Sequence, residues 1–292
     1  MTREASNLIL KKLKVLSKKE DSLSVNELRV IMAIESIIAR LQADEILSSQ
    51  LIFKGGFVLL KSYQSLRFTR DVDALVIKLT QDQVKRIVSS CLEKDVDDGF
   101  WFGDLSTKNI DTQGPYNGIR FSAAFHIGIP DKNKIHKLSR IHLDIGFNDK
   151  LISVPENQSL PLLLDHIDPV LWKVYPIEQI ISEKLQILVD RRSGNSRAKD
   201  IYDLNFLLPK VQNYSDLIKS IQKTLLNRKT EMPVSFFNAV ASFEDLTFLK
   251  NAWNSVKIGK EKPDFVQAWD ILLNNLKKLD AYRLGRVDNS KK

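Results

Sequence analysis

Residues 51–77 read LIFKGGFVLLKSYQSLRFTRDVDALVI, and this stretch decides the fold. The apolar run Leu51-Ile52-Phe53 is stopped by Lys54-Gly55-Gly56. FVLLKSYQSL (57–66) then predicts a helix, and RFTRDVDALVI (67–77) predicts a strand. Glycines let backbone approach a ligand closely, and the helix start behind them offers N–H donors to a phosphate. Asp71 and Asp73 lie two apart on the strand, so they project to one face about 6.5 Å apart at the backbone. Two carboxylates that close repel one another unless a cation neutralises them. Mg²⁺ is the natural candidate, because it takes oxygen ligands from one or two carboxylates plus substrate phosphates. Alone, a glycine pair is also a tight turn and D-x-D is also a solvated edge, so the rest of the chain has to decide.

Working outward, residues 4–18 and 25–48 read as helices. Ser24 is the expected N-cap of the second, whose apolar stripe is Leu28, Ile31, Ile34, Ile37, Ile38 and Leu41. TQDQVKRIVSSCLEK (80–94) is a further helix, with Cys91 expected in its core face. Residues 101–110, 118–129 and 137–147 read as strands, separated by the turn clusters TQGPYNG and IPDKNK. VPENQSLPLLLDHIDP reads as a connection, which sets a soft boundary near 155–175. After Pro176 the chain is helical: 176–191, 197–208, 214–227, then further helices to about 284, with DNSKK a frayed tail. The plan is α+β: N-terminal helices, a core with a mixed sheet, and a helical C-terminal region. The expected domains are 1–155 and 156–292.

Three more places carry candidate chemistry. In Arg140-Ile141-His142-Leu143-Asp144-Ile145-Gly146-Phe147, alternation puts Asp144 on a face with His142 and Gly146, opposite the apolar set. Asp144 is the candidate third carboxylate and Asp149 the weaker alternative. Lys184, in the helix beginning near Pro176, falls inside the buried stripe of Ile177, Ile180, Ile181, Leu185 and Leu188. It must snorkel, or reach a polar site such as nucleotide phosphates. Asn195 or Ser196 caps the next helix, where Arg197, Asp200 and Asp203 lie one turn apart. Those aspartates either serve the helix dipole or orient Arg197 and Lys199 toward phosphates.

These pieces, in this order, resemble the nucleotidyltransferases of the AbiEii/AbiGii toxin family, which act in type IV toxin–antitoxin and phage-abortive-infection systems. The family pattern appears as FKGG, RFTRDVD, LDIG, SEKL and NSRAKDIYDL, over roughly residues 50–208. Thr69 stands where serine is common and keeps the hydroxyl. The resemblance implies a polymerase-β-like nucleotidyltransferase core and transfer of a nucleoside monophosphate from an NTP by a two-Mg²⁺ mechanism. The implied acceptor is the 3′ end of tRNA or, alternatively, a protein side chain. It also implies roles: Asp71, Asp73 and Asp144 as metal ligands and catalytic groups, and Lys184 neutralising developing charge. Lys54, Gly55, Gly56, Arg197, Lys199, Asp200 and Asp203 would form the nucleotide site, completed by the helical C-terminal domain. A cognate antitoxin encoded by a neighbouring gene is the implied partner.

Composition agrees with that reading. The 292 residues are 43% hydrophobic, which suits a packed protein, and the single cysteine excludes an intrachain disulfide. His126, His136, His142 and His166 lack metal-ligand spacing; only His142, two residues before Asp144, can approach the site. No run reaches the roughly 20 apolar residues of a membrane span, so a cytoplasmic protein is the default, and with nothing in the chain demanding an obligate oligomer a monomer is expected. The net charge of +8 is uneven: residues 1–54 carry 9 basic and 7 acidic side chains, 55–203 carry 20 of each, and 204–292 carry 15 and 9. A basic last third suits a polyanion such as RNA, although solvated lysine-rich helix faces give the same count. Two other readings remain: a non-catalytic nucleotide- or RNA-binding module, and a metal-dependent nuclease, which also clusters carboxylates.

Overall fold

The computed structural model describes residues 2–18, 23–111, 117–147, 151–259 and 261–285. Asp149, most of the TQGPYNG turn and the DNSKK tail lie outside the described residues. In chain order the elements are α1 (Arg3–Leu16), α2 (Val25–Gln42), α3 (Glu45–Gln50), β1 (Leu51–Lys54), α4 (Gly55–Ser62), β2 (Asp71–Val76), α5 (Gln81–Glu93), β3 (Phe100–Asp111), β4 (Asn117–Ile127), β5 (Arg140–Phe147), β6 (Glu156–Leu160) and β7 (Val170–Val174). The helical part follows: α6 (Ile177–Arg191), α7 (Ala198–Leu207), α8 (Tyr214–Asn227), α9 (Phe236–Ala241), α10 (Thr247–Trp253) and α11 (Phe265–Arg283). Two compact units result, Met1–Asp149 with Pro155–Val174, and Lys150–Val154 with Tyr175–Lys292.

The first unit is built on a seven-stranded sheet in the order β3-β4-β5-β2-β1-β7-β6. It is mixed: β2 runs parallel to β5 and β1 parallel to β7, while the other neighbours are antiparallel. On β5 the alternation is strict, with Ile141, Leu143, Ile145 and Phe147 buried and the residues between them half-buried. The apolar set packs with Ile119, Phe121 and Ala123 of β4 as core, so the polar set, Asp144 included, faces the other way. α2 supplies the largest buried stripe, and Ser24 starts it with a capping box to Glu27, as its position predicts.

The segment that reads as a connection belongs to the sheet. Residues 155–175, a connection by composition, form β6 and β7, and β7 lies beside β1 at the Phe53–Val174 register. The split therefore falls at Val174/Tyr175 for the main chain, and residues 156–174 belong with the sheet. The 25–48 helix also breaks in two, because Asp44 accepts from the N–H groups of Ile46 and Leu47 and caps a new helix. Cys91 is half-buried beside the Val84–Val88–Leu92 stripe of α5 rather than in it, and its thiol is pushed up to about 11 by burial.

In the second unit α6 packs on α8 and α7, and α11 packs on α9 and α7. Its core is Ile180, Ile181, Leu185, Ile201, Leu204, Leu217, Ile221, Leu272 and Leu276. Asp280 of α11 accepts from the N–H groups of Phe236 (3.0 Å) and Phe237 (2.9 Å), giving α9 an N-terminal anchor from a distant helix. No described helix is long and apolar enough to cross a membrane.

Candidate active site

Strand register brings the first unit's charged residues into one row. Across the sheet, Lys108 of β3 lies opposite Arg120 of β4, Arg120 opposite Asp144 of β5, Asp144 beside Asp73 of β2, and Asp73 opposite Lys54 of β1. Paired residues share a face, with strands about 4.8 Å apart. One step along, Asp71 lies beside His142, whose Nδ1 is 3.2 Å from Asp71 Oδ1. Asp71 and Asp73 thus share a face along β2, and the β2–β5 register puts Asp144 on it. Thr69 precedes them, and its Oγ1 is 3.4 Å from both the N–H and the carbonyl oxygen of Asp71, which shapes the entry to β2.

The glycine pair also makes room for two charged side chains. Gly55, the first residue of α4, has φ +76°, and a Cβ there would lie 2.0 Å from Asp73 Oδ2. A Cβ on Gly56 would lie 2.7 Å from Arg67 Nη2, and Arg67 is buried. The room left by the missing side chains is filled by Asp73 and Arg67. Asp73 thereby sits at the start of α4, where a negative charge meets the positive end of the helix dipole.

Asp144 does not point into an empty space. Arg120 Nε is 2.7 Å from Asp144 Oδ1 and Arg120 Nη2 is 2.7 Å from Oδ2, a two-pronged pair. Arg120 is the residue that sequence reasoning missed. Alternation along β4 puts it on the polar face, but its partner follows from the β4–β5 register, which the sequence does not print. Hard carboxylate oxygens are the donors a divalent cation such as Mg²⁺ takes, so the residue types fit. Among the described residues, however, no three Asp, Glu, His or Cys side chains close on one point as a ready cation site. A cavity of about 720 Å³ elsewhere in this unit, beside α2 and β7, is lined by Arg40, Asp98, His166 and Trp172 and by none of the three aspartates.

The second unit holds the other cluster. Lys184 is buried, with Nζ 2.8 Å from Asp200 Oδ1 and 2.6 Å from Asp203 Oδ2. Asp200 Oδ2 also accepts from Arg197 Nε at 2.7 Å. Lys184 therefore neither snorkels nor reaches solvent; the two aspartates converge on it. Burial by itself would raise the pKa of Asp200, but the Lys184 ammonium and the Arg197 guanidinium more than reverse this and hold the carboxyl well below its usual range. Asn195 is buried, and its side-chain oxygen accepts from Arg197 N–H at 2.8 Å, setting the turn into α7. Lys199 lies on the exposed side of that helix.

A mixed sheet with a carboxylate face, fronted by a glycine-started helix and accompanied by a helical unit, defines a nucleotidyltransferase-like fold. The model of the nucleotidyl transferase AbiEii toxin family, type IV toxin–antitoxin system, matches residues 37–275, and the chain belongs to that family. Two solved structures from Helicobacter pylori share the fold. A proposed nucleotidyltransferase has a TM-score of 0.57 at 16% identity, covering 91% of this chain and 100% of that one. The protein JHP933 has a TM-score of 0.52 at 18% identity, covering 91% and 96%. No curated protein matches the chain.

Proposed function

We propose that this toxin-family chain transfers a nucleoside monophosphate from an NTP to the 3′ end of tRNA, using the carboxylate face of its first unit. The observation that supports this most is that Asp71, Asp73 and Asp144 share one face on the adjacent strands β2 and β5, with the start of α4 against Asp73. Asp71 and Asp73 would hold Mg²⁺ with Asp144 as a third ligand, and the ion would supply charge neutralisation at the attacking and leaving oxygens. The chain's own residues do the rest. Lys54 and the first N–H groups of α4, at Gly55 and Gly56, bind phosphate oxygens. Asp144 takes the proton of the acceptor hydroxyl as that oxygen bonds to the α-phosphorus and pyrophosphate departs.

In the second unit, Lys184, Asp200 and Asp203 act as a buried frame that fixes Arg197 and the start of α7. Arg197 and Lys199 are the cations this unit offers to phosphate, and the basic last third offers more to an RNA backbone. We place the chain in the cytoplasm as a monomer, with a cognate antitoxin encoded nearby.

The test is incubation of purified protein with Mg²⁺, each α-³²P-NTP in turn and total tRNA, beside Asp71→Ala and Asp73→Ala. A labelled tRNA band that vanishes in both variants is expected. A labelled protein band with bare tRNA would transfer the acceptor to protein, and no label in any lane would sink the transferase reading.

A further inference from the structure

The three aspartates share their face with cations of the chain itself. Arg120 presents a guanidinium fork to Asp144 at 2.7 Å on both prongs, and Lys108 follows it on the same row. The pair is not locked by packing: the Arg120 side chain is 43% exposed and that of Asp144 18%. Arg120 can therefore leave without opening the core. Asp144, chiefly by hydrogen bonding, raises the Arg120 pKa above its ordinary value, and the charges of Asp71 and Asp73 reach the same guanidinium. One protein cation thus answers to all three carboxylates. With both Asp144 oxygens engaged by that fork, the three do not close on a common point.

We infer that Arg120 is the resident counter-cation of this face and competes with a divalent cation for Asp144. The inference rests on the reading of Asp71, Asp73 and Asp144 as the metal-holding group. Without a cation beside Asp144, its carboxylate and those of its β2 neighbours would repel one another. Arg120 offsets part of that repulsion, and its two-pronged pair holds Asp144 toward β4. A metal ion gains its third ligand only when the guanidinium gives Asp144 up. Arg120 is on this account a positioning residue, acting through Asp144.

Mn²⁺ binding to the full chain without nucleotide, read from the EPR signal of free Mn²⁺, tests this. Arg120→Met should tighten binding by about tenfold or more, the scale of releasing one charged hydrogen-bonded partner. Asp144→Asn should change affinity little when Arg120 is present and weaken it by about tenfold in the Arg120→Met background, a coupling that a merely structural arginine would not produce. Arg120→Lys, which keeps the charge but loses the fork, should fall between wild type and Arg120→Met, and thermal melts report folding of each variant. Equal Mn²⁺ affinity in wild type and Arg120→Met, with Asp71→Asn still weakening binding, would overturn the competition and leave the metal site standing. Mn²⁺ binding that is absent throughout, or indifferent to Asp71→Asn, would overturn the metal reading and this inference with it.

Discussion

At Gly55 one missing methyl group decides where Asp73 can be. With φ +76° and Asp73 Oδ2 in the place of a Cβ, alanine there costs about 1–2 kcal/mol in backbone conformation and also pushes the carboxylate aside. Gly55→Ala should fold, with a modestly lowered melting temperature, yet lose NTP labelling by about a hundredfold, the effect expected of a displaced site group. Lys184 works in the opposite sense. Lys184→Met would leave Asp200 and Asp203 buried without their shared cation, at about 3–5 kcal/mol in urea unfolding. Breaking the exposed Lys219–Asp216 pair should cost about 0–1 kcal/mol by the same measurement. Acid reports the cluster as well. The folded pKa of Asp200 lies below its unfolded value of about 3.9, so its stabilisation is complete above that pH and is lost as pH falls toward the folded value. Asp200→Asn should be less stable at pH 7 and should show a flatter loss of unfolding midpoint below about pH 4.

Between elements, Arg40 is a many-partnered tie. Buried on α2, it donates to the carbonyls of Leu92 (2.9 Å), Lys94 (2.8 Å) and Phe100 (2.8 Å) and pairs with Asp98 at 2.7 Å. It thus joins α2 to the end of α5 and the start of β3. Arg40→Met strands three carbonyls and a carboxylate, so a loss above about 3 kcal/mol is expected in chemical denaturation. Hydrogen exchange should localise the change to 92–102. The strands β6 and β7 teach a different lesson at this scale. Residues 155–175 are broken by Pro161 and Pro169 and rich in turn formers, so local pattern reads as connection. They are strands because β1 offers β7 an edge, and Trp172 packs 5.5 Å from Phe53 and 6.4 Å from Phe57. Such pairing follows from the partner strand and not from the segment's own propensity.

For the molecule as a whole, the charge imbalance makes a separate prediction. Lys219 and Lys223 lie four apart on the exposed side of α8, in the basic last third. If that region takes the RNA backbone, the double change to glutamate should raise KM for tRNA and leave KM for NTP unchanged. It should also reduce the slope of log affinity against log salt by about 2, one for each lysine removed. Unchanged salt dependence would mean that these lysines are only solvated helix faces.

The sequence by itself determined the family and the chemistry-bearing residue types. Glycines before a helix, aspartates two apart, and a lysine inside an apolar stripe are local facts, fixed by strand and helix periodicity. Alternation also puts Asp71 and Asp73 on one face of their strand, whereas it is the β2–β5 register that adds Asp144 to that face. Only the tertiary structure decided what each charge meets. That Asp144 meets Arg120, that Gly55 makes room for Asp73, and that Lys184 lies between Asp200 and Asp203 all follow from register and packing. The residues that meet are 24 positions apart for Arg120 and Asp144, and 16 and 19 apart for Lys184 and its two aspartates. Which side chain neutralises which is set by distance in space, and periodicity along the chain carries no record of it.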